Sequence, residues 1–185
     1  MSNTYGKNLK ITVFGQSHSP AIGVVIDGFP SGVKVDTEFI NKFMSRRAPG
    51  QSLTTPRTEK DVPEFISGLN ADGVTCGAPI CAIINNTNTR SGDYSNLKNC
   101  PRPGHADYTA QVKYRGFQDA AGGGHFSGRI TAAIVAAAAI VGSALETKGI
   151  KIGSHITELH GAFDRSFDDI EADIDLLKNK QFPVL

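Results

Sequence analysis

His18 and His105 are the residues whose type and surroundings best suit them to proton transfer. His18 closes Phe14-Gly15-Gln16-Ser17-His18, and His105 lies in Arg102-Pro103-Gly104-His105-Ala106-Asp107-Tyr108; both segments are polar and punctuated by glycine or proline. Imidazole changes charge near neutral pH, so a positioned histidine can donate or accept a proton under working conditions. A merely solvated loop histidine leaves the same trace, and one sequence does not pair two loops in space.

A second feature is Gly122-Gly123-Gly124-His125-Phe126-Ser127-Gly128-Arg129, which runs into an apolar helix. Consecutive glycines let the backbone approach a ligand closely, and the first amides of a helix attract anions. Arg129 would add a bidentate fork for phosphate or carboxylate. Its position is unfavourable for the helix dipole, which suggests an anionic partner. A simple helix-entry turn explains the same residues without a ligand. The spacing is neither a P-loop nor GxGxxG.

The elements that must hold these groups follow from patterning. Lys10–Phe14 and Gly23–Asp27 read as strands, and the polar loop carrying His18 lies between them. Asp36 is the expected N-cap of a helix to about Arg47, with Phe39, Ile40, Phe43 and Met44 on one apolar stripe. Arg46 and Arg47 fall in its last turn, where cations complement the dipole; ligand binding is the other reading of them. Gln51–Asp61 reads as a surface loop, Glu64–Leu69 and Ala78–Asn85 as strands, and Asn86–Gly104 as a long polar segment. A short helix is expected over Ala106–Arg115. The stretch Ser127–Glu146 is apolar on every side and should form a helix at the centre of the fold. Lys151–Leu159 reads as a strand and Asp168–Lys178 as an amphipathic helix. Antiparallel strand pairs around a central apolar helix indicate an α+β fold.

Composition excludes several classes. Hydrophobic residues make up 39% and charged residues 20%, the balance of an ordinary soluble domain, and 185 residues suffice for one core. A net charge of +1 gives no global attraction to nucleic acid or membrane. Cys76, Cys81 and Cys100 are odd in number and form no CxxC pair, which argues against a zinc site or disulfide framework and fits a reducing cytoplasm. The polar N-terminus shows no secretory h-region. Ile130–Leu145 is shorter than the ~20 residues of a membrane span. The apolar ending Gln181-Phe182-Pro183-Val184-Leu185 reads as a truncation.

At these same residues the chain closely resembles chorismate synthases. FGQSHSPAIGVVIDGFPSG (Phe14–Gly32), RRAPG (Arg46–Gly50), NTNTRSGDY (Asn86–Tyr94), RPGHADYT (Arg102–Thr109) and GGGHFSGRITA (Gly122–Ala132) match five family blocks in order. The resemblance implies helices sandwiched between antiparallel sheets, a homotetramer at full length, and residues 1–185 as the N-terminal portion of one such domain. It further implies a lyase that converts 5-enolpyruvylshikimate-3-phosphate to chorismate and phosphate by 1,4-anti elimination, the last step of the shikimate pathway. Reduced FMN is the implied cofactor, with NADPH as a source of reductant.

By the same resemblance, His18 protonates the departing phosphate and His105 keeps the reduced flavin in its correct protonation state. Ser17, Arg46, Arg47, Arg102 and Arg129 are the implied substrate contacts. Arg47, His125 and Ser127 are the implied flavin contacts. Several positions depart from the family pattern: Gln16 stands for Glu, Ser19 for a small residue, His125 for Arg, Phe126 for Ser, Ala121 for Arg and Ile130 for Glu. The loop after Gly50 lacks one family arginine, with Leu53 nearby. Two other readings accompany this one. The 185-residue chain is a catalytically silent fragment, or it is a phosphate-binding module using only the glycine turn and Arg129.

Overall fold

The computed structural model describes residues 3–48, 61–87, 100–180 and 182–185. It separates into two compact units, Met1–Ile140 and Val141–Leu185. Within the described residues of the first unit, five strands form one antiparallel sheet. They are β1 (Thr4–Tyr5), β2 (Lys10–Gly15), β3 (Ala21–Asp27), β4 (Glu64–Ser67) and β5 (Ile80–Asn85), in the order β1-β2-β3-β5-β4. Together with its helices this is an α+β fold, as the strand pattern predicts.

Register explains which face is buried. Ile22, Val24 and Ile26 of β3 stand opposite Ile84, Ala82 and Ile80 of β5, and all six are buried. Side chains alternate across a strand, so this set forms one face, which Ile11 and Val13 of β2 extend. Each fully buried Ile contributes ~1.5–3 kcal/mol of apolar transfer.

Two helices complete that core. In α1 (Thr37–Arg47) the Asp36 carboxylate accepts from Phe39 N at 2.9 Å, the expected N-cap, and Ile40 and Met44 are buried. The helix α3 (Thr131–Glu146) contributes Ala132, Ala133, Ala136, Ala137, Ala139 and Ile140 to the same cluster. Small side chains let its backbone pack closely. It is not covered on every side, however: Thr131, Ile134 and Ala138 form an exposed stripe at helical spacing. A short 3-10 turn, Gly128–Ile130, precedes it, so the apolar helical run spans 19 residues, Gly128–Glu146. That is long and apolar enough to cross a membrane, although the alanine face is occupied by the sheet and α1.

The helix α2 (Asp107–Lys113) forms where the 106–115 pattern predicts it. The strand expected over Glu64–Leu69 ends at Ser67, after a bulge, with Leu69 making only an isolated bridge to Thr75. Of the loop expected at 51–61, residues 51–60 lie outside the described residues, as do residues 88–99 of the 86–104 segment.

In the second unit the strand expected over Lys151–Leu159 shrinks to β6 (Glu158–Leu159). It pairs with β7 (Ala162–Phe163) across a two-residue turn at His160 and Gly161, both with positive φ. Residues 151–156 are held otherwise. A Cβ on Gly153 would stand 2.6 Å from Ile174 Cγ1, and Ile156 N donates to Pro183 O at 2.8 Å. The helix α4 (Ile170–Asn179) starts at Asp169, whose carboxylate accepts from Ala172 N, and buries Ile174 and Leu177.

Candidate active site

His18 follows β2 in a loop tied down by its neighbours. Gln16 N donates to Ser19 Oγ at 3.0 Å, and Ser19 N donates to Gln16 O at 3.2 Å. From the end of β5, the Asn86 amide donates to Gln16 O (3.0 Å) and Ser19 O (2.7 Å), while Asn86 N donates to Pro20 O (2.9 Å). One side chain thus fastens the loop to the sheet.

Ser17 is buried, and its backbone N donates to Gly124 O at 3.1 Å. Its hydroxyl lies 2.7 Å from His18 Nδ1 and 3.2 Å from Gly122 O. A chain in which Nδ1–H donates to the hydroxyl, and the hydroxyl to the carbonyl, satisfies all three groups. It suits both the imidazolium and the neutral Nδ1–H tautomer, so a proton can leave Nε2 without disturbing it.

The glycine turn is what makes these contacts possible. Gly122, Gly123 and Gly124 have φ values of 58°, 86° and 55°, the left-handed region that side chains avoid. A Cβ on Gly122 would lie 2.2 Å from His18 Cε1 and 2.3 Å from both His18 Nδ1 and Ser17 Oγ. A Cβ on Gly123 would lie 2.8 Å from His105 Cε1 and 2.9 Å from His105 Nε2. The two histidine loops therefore meet on consecutive glycines.

His105 belongs to a compact triad of its own. Arg102 donates to Asp107 through Nε (2.8 Å), Nη2 (3.0 Å) and its backbone N (3.0 Å). His105 Nδ1 lies 2.6 Å from Asp107 Oδ1. The Arg102 guanidinium, above all other causes, holds the Asp107 carboxyl well below the usual carboxylate range.

A second cluster joins the arginines. The buried Asp61 carboxylate is shared by Arg47 Nη1 and Arg129 Nη1. Arg129 also donates from Nε to Asn86 Oδ1 at 3.0 Å, and Arg47 Nε stands 3.4 Å from Thr131 Oγ1. The dipole argument about Arg129 finds its anion here inside the protein. Asp61 compensates the cation at the helix entrance, so that placement does not by itself require a ligand.

The Arg46 guanidinium carbon lies 5.9 Å from the centre of the Phe43 ring. The His125 ring lies beside Phe126, centroids 4.1 Å apart and planes tilted by 32°, with Tyr114 edge-on at 5.6 Å. Ser127 Oγ accepts from Arg129 N at 3.3 Å, a capping role that leaves its own proton for another acceptor. The structure thus brings Ser17, His18, His105 and Arg102 around the glycine turn and ties Arg47 to Arg129. Sequence patterning had not singled out Asp61, Asn86 or Asp107, whose roles depend on contacts between distant segments or on a local turn.

Comparison with known proteins agrees with these motifs. The family model described as chorismate synthase matches residues 9–184. A chorismate synthase of Methanococcoides burtonii is 47% identical over 172 residues, covering 91% of this chain and 46% of the relative. One from Bacteroides thetaiotaomicron is 45% identical over 179 residues, covering 96% of this chain and 49% of the relative. A crystal structure of chorismate synthase superposes with a TM-score of 0.67 at 24% identity, covering 96% of this chain and 48% of that one, which supports the fold. The chain spans about half the length of the curated relatives it matches. Because the family model matches residues 9–184, nearly all of the chain, the chain belongs to the chorismate synthase family.

Proposed function

We propose that this chain supplies the histidine pair and part of the arginine set of a lyase that eliminates phosphate and a ring proton from 5-enolpyruvylshikimate-3-phosphate, giving chorismate. The observation that carries the proposal is the seating of His18 and His105 on consecutive glycines. A substrate with one phosphate and two carboxylates calls for guanidinium groups, of which Arg102 Nη2 would lie 3.6 Å from a Cβ on Gly123, and such forks bind oxyanions bidentately.

In this reading His18 delivers the Nε2 proton to the departing phosphate, and the Ser17–Gly122 hydrogen-bond chain holds the ring before and after transfer. His105 keeps the reduced cofactor correctly protonated through Nε2, beside Gly123. The residues fit reduced FMN in two respects: His125 and Phe126 offer adjacent aromatic rings, and Ser127 has a hydroxyl proton to give to phosphate. Bound there, with Arg47 as a further contact, reduced FMN would supply the electron density that lets the C–O bond break without net redox change. NADPH as the reductant source, a cytoplasmic homotetramer, and an isolated chain without turnover belong to the same proposal.

A phosphate module built on only the glycine turn and Arg129 fits less well. Gly122 and Gly124 turn carbonyl oxygens, not amides, toward Ser17. The test is anaerobic phosphate release with photoreduced FMN. It would compare this chain with a chimera that adds the C-terminal half of the M. burtonii relative. Release by the chimera only with reduced FMN is expected; a folded chimera that binds the substrate but releases nothing would refute the proposal.

A further inference from the structure

We propose that Asp107 is the positioning residue for His105, fixing its imidazole as the Nδ1–H tautomer so that the unprotonated Nε2 lies against Gly123. This deepens the reading of His105 given above and rests on it for its functional meaning, but its physical content is independent of catalysis.

The argument is one of donors and acceptors. Asp107 Oδ2 accepts from Arg102 N and Nε, and Oδ1 accepts from Arg102 Nη2. The ionised carboxylate has no proton to give, so the contact of 2.6 Å between Oδ1 and His105 Nδ1 requires Nδ1 to be the donor. Arg102 Nη2 carries two N–H groups and, besides reaching Oδ1, lies 3.3 Å from Nδ1; a bond from it would need a bare Nδ1, which would set two acceptors 2.6 Å apart, so the shorter carboxylate contact decides the tautomer. Among the described residues, Arg102 and Asp107 are charged groups that reach His105, and the closer of them, the carboxylate, sets the proton on Nδ1. Nε2 is then the acceptor, and the Gly123 backbone leaves room for it. An orienting carboxylate that selects one tautomer is a recurring device in histidine chemistry.

Asp107→Asn would reverse the pattern. Arg102 supplies only donors, so the amide oxygen would take the Oδ2 place and the amide NH2 would face Nδ1. His105 would then have to accept at Nδ1 and carry its proton on Nε2.

The test is 15N NMR of the histidine rings in the 185-residue chain, at a pH where His105 is neutral. The wild type should show a protonated Nδ1 and a bare Nε2. Asp107→Asn should shift the majority to the Nε2–H form, and Asp107→Glu should recover the wild-type pattern. A wild-type His105 protonated on Nε2 would overturn the proposal outright, whether or not any variant folds. So would a folded Asp107→Asn variant with an unchanged tautomer. Neither result depends on turnover, so failure here is distinct from failure of the assigned reaction.

Discussion

His18 and His105 touch adjacent residues of one backbone turn: a Cβ at Gly122 would collide with the first ring, and a Cβ at Gly123 with the second. The relationship makes the glycine triplet a spacer whose missing side chains set how closely two imidazoles approach one backbone turn. Replacement there has two separable costs, the left-handed backbone and the occupied space.

Gly122→Ala and Gly149→Ala separate them. Both positions have positive φ, 58° and 72°, but nothing lies within 4 Å of a Cβ at Gly149. Each substitution should lose ~1–3 kcal/mol from backbone strain. Only Gly122→Ala should cost more than that and displace the His18 ring resonances, and Gly123→Ala should do the same to His105. Urea denaturation with histidine NMR checks both; equal behaviour at positions 122 and 149 would remove the glycine seat from the account.

Catalytic loss should be separable from folding loss at the histidines themselves. His18→Ala and His105→Ala in the active chimera should each lower phosphate release by ~10²–10⁴-fold, the usual worth of a positioned acid or base. Thermal unfolding should move little, since neither ring belongs to the core cluster. Near-normal rates in both variants would end their assignment to proton transfer.

Much of this was legible in the sequence, for identifiable reasons. The α1 N-cap at Asp36 and the α4 helix obey local rules that a short window displays. The strand expected at 151–159 failed because apolar β-branched residues signal burial, and here Gly153 meets Ile174 where no described strand pairs with it. The α3 helix looked apolar all round because alanine is tolerated on an exposed stripe as well as in a core. Asp61 escaped notice because its meaning lies wholly in two arginines brought to it from α1 and from the turn before α3. Asp107 sat in view within RPGHAD, yet only the fold of that loop shows that it serves two neighbours at once.

Acid should weaken the second unit through Asp173. The Arg165 guanidinium, donating at 2.9 Å and 2.5 Å, and the Asp168 backbone N–H lower its carboxyl from 3.8 to about 2. A folded value below the unfolded one means that the unfolded chain binds more protons between the two. The contribution is therefore complete above the ordinary carboxylate value and is lost as pH falls toward 2. Asp173→Asn should remove that dependence, so the stability gap between wild type and variant narrows from about pH 5 to about pH 2. A gap that stays constant across this range, followed by urea unfolding, would contradict the ion pair.

The last prediction concerns the carboxylate shared by two guanidiniums. Asp61 and Arg129 are both buried, and removing one charge of a buried ion pair takes a counter-charge from the other. Asp61→Asn should therefore destabilise the chain by about 3–5 kcal/mol. Removing Arg129 as well takes away the charge that Asp61 balances, so Asp61→Asn with Arg129→Gln should cost less than the sum of the single changes, by ~0.5–3 kcal/mol. Arg47, more exposed and held also beside Thr131, should couple to Asp61 more weakly. If Asp61 is the internal counter-ion that allows two arginines to wait beside an anion site, inorganic phosphate should stabilise Asp61→Asn more than the wild type. Strict additivity between Asp61 and Arg129, with equal response to phosphate, would show that the bridge does not govern the arginines.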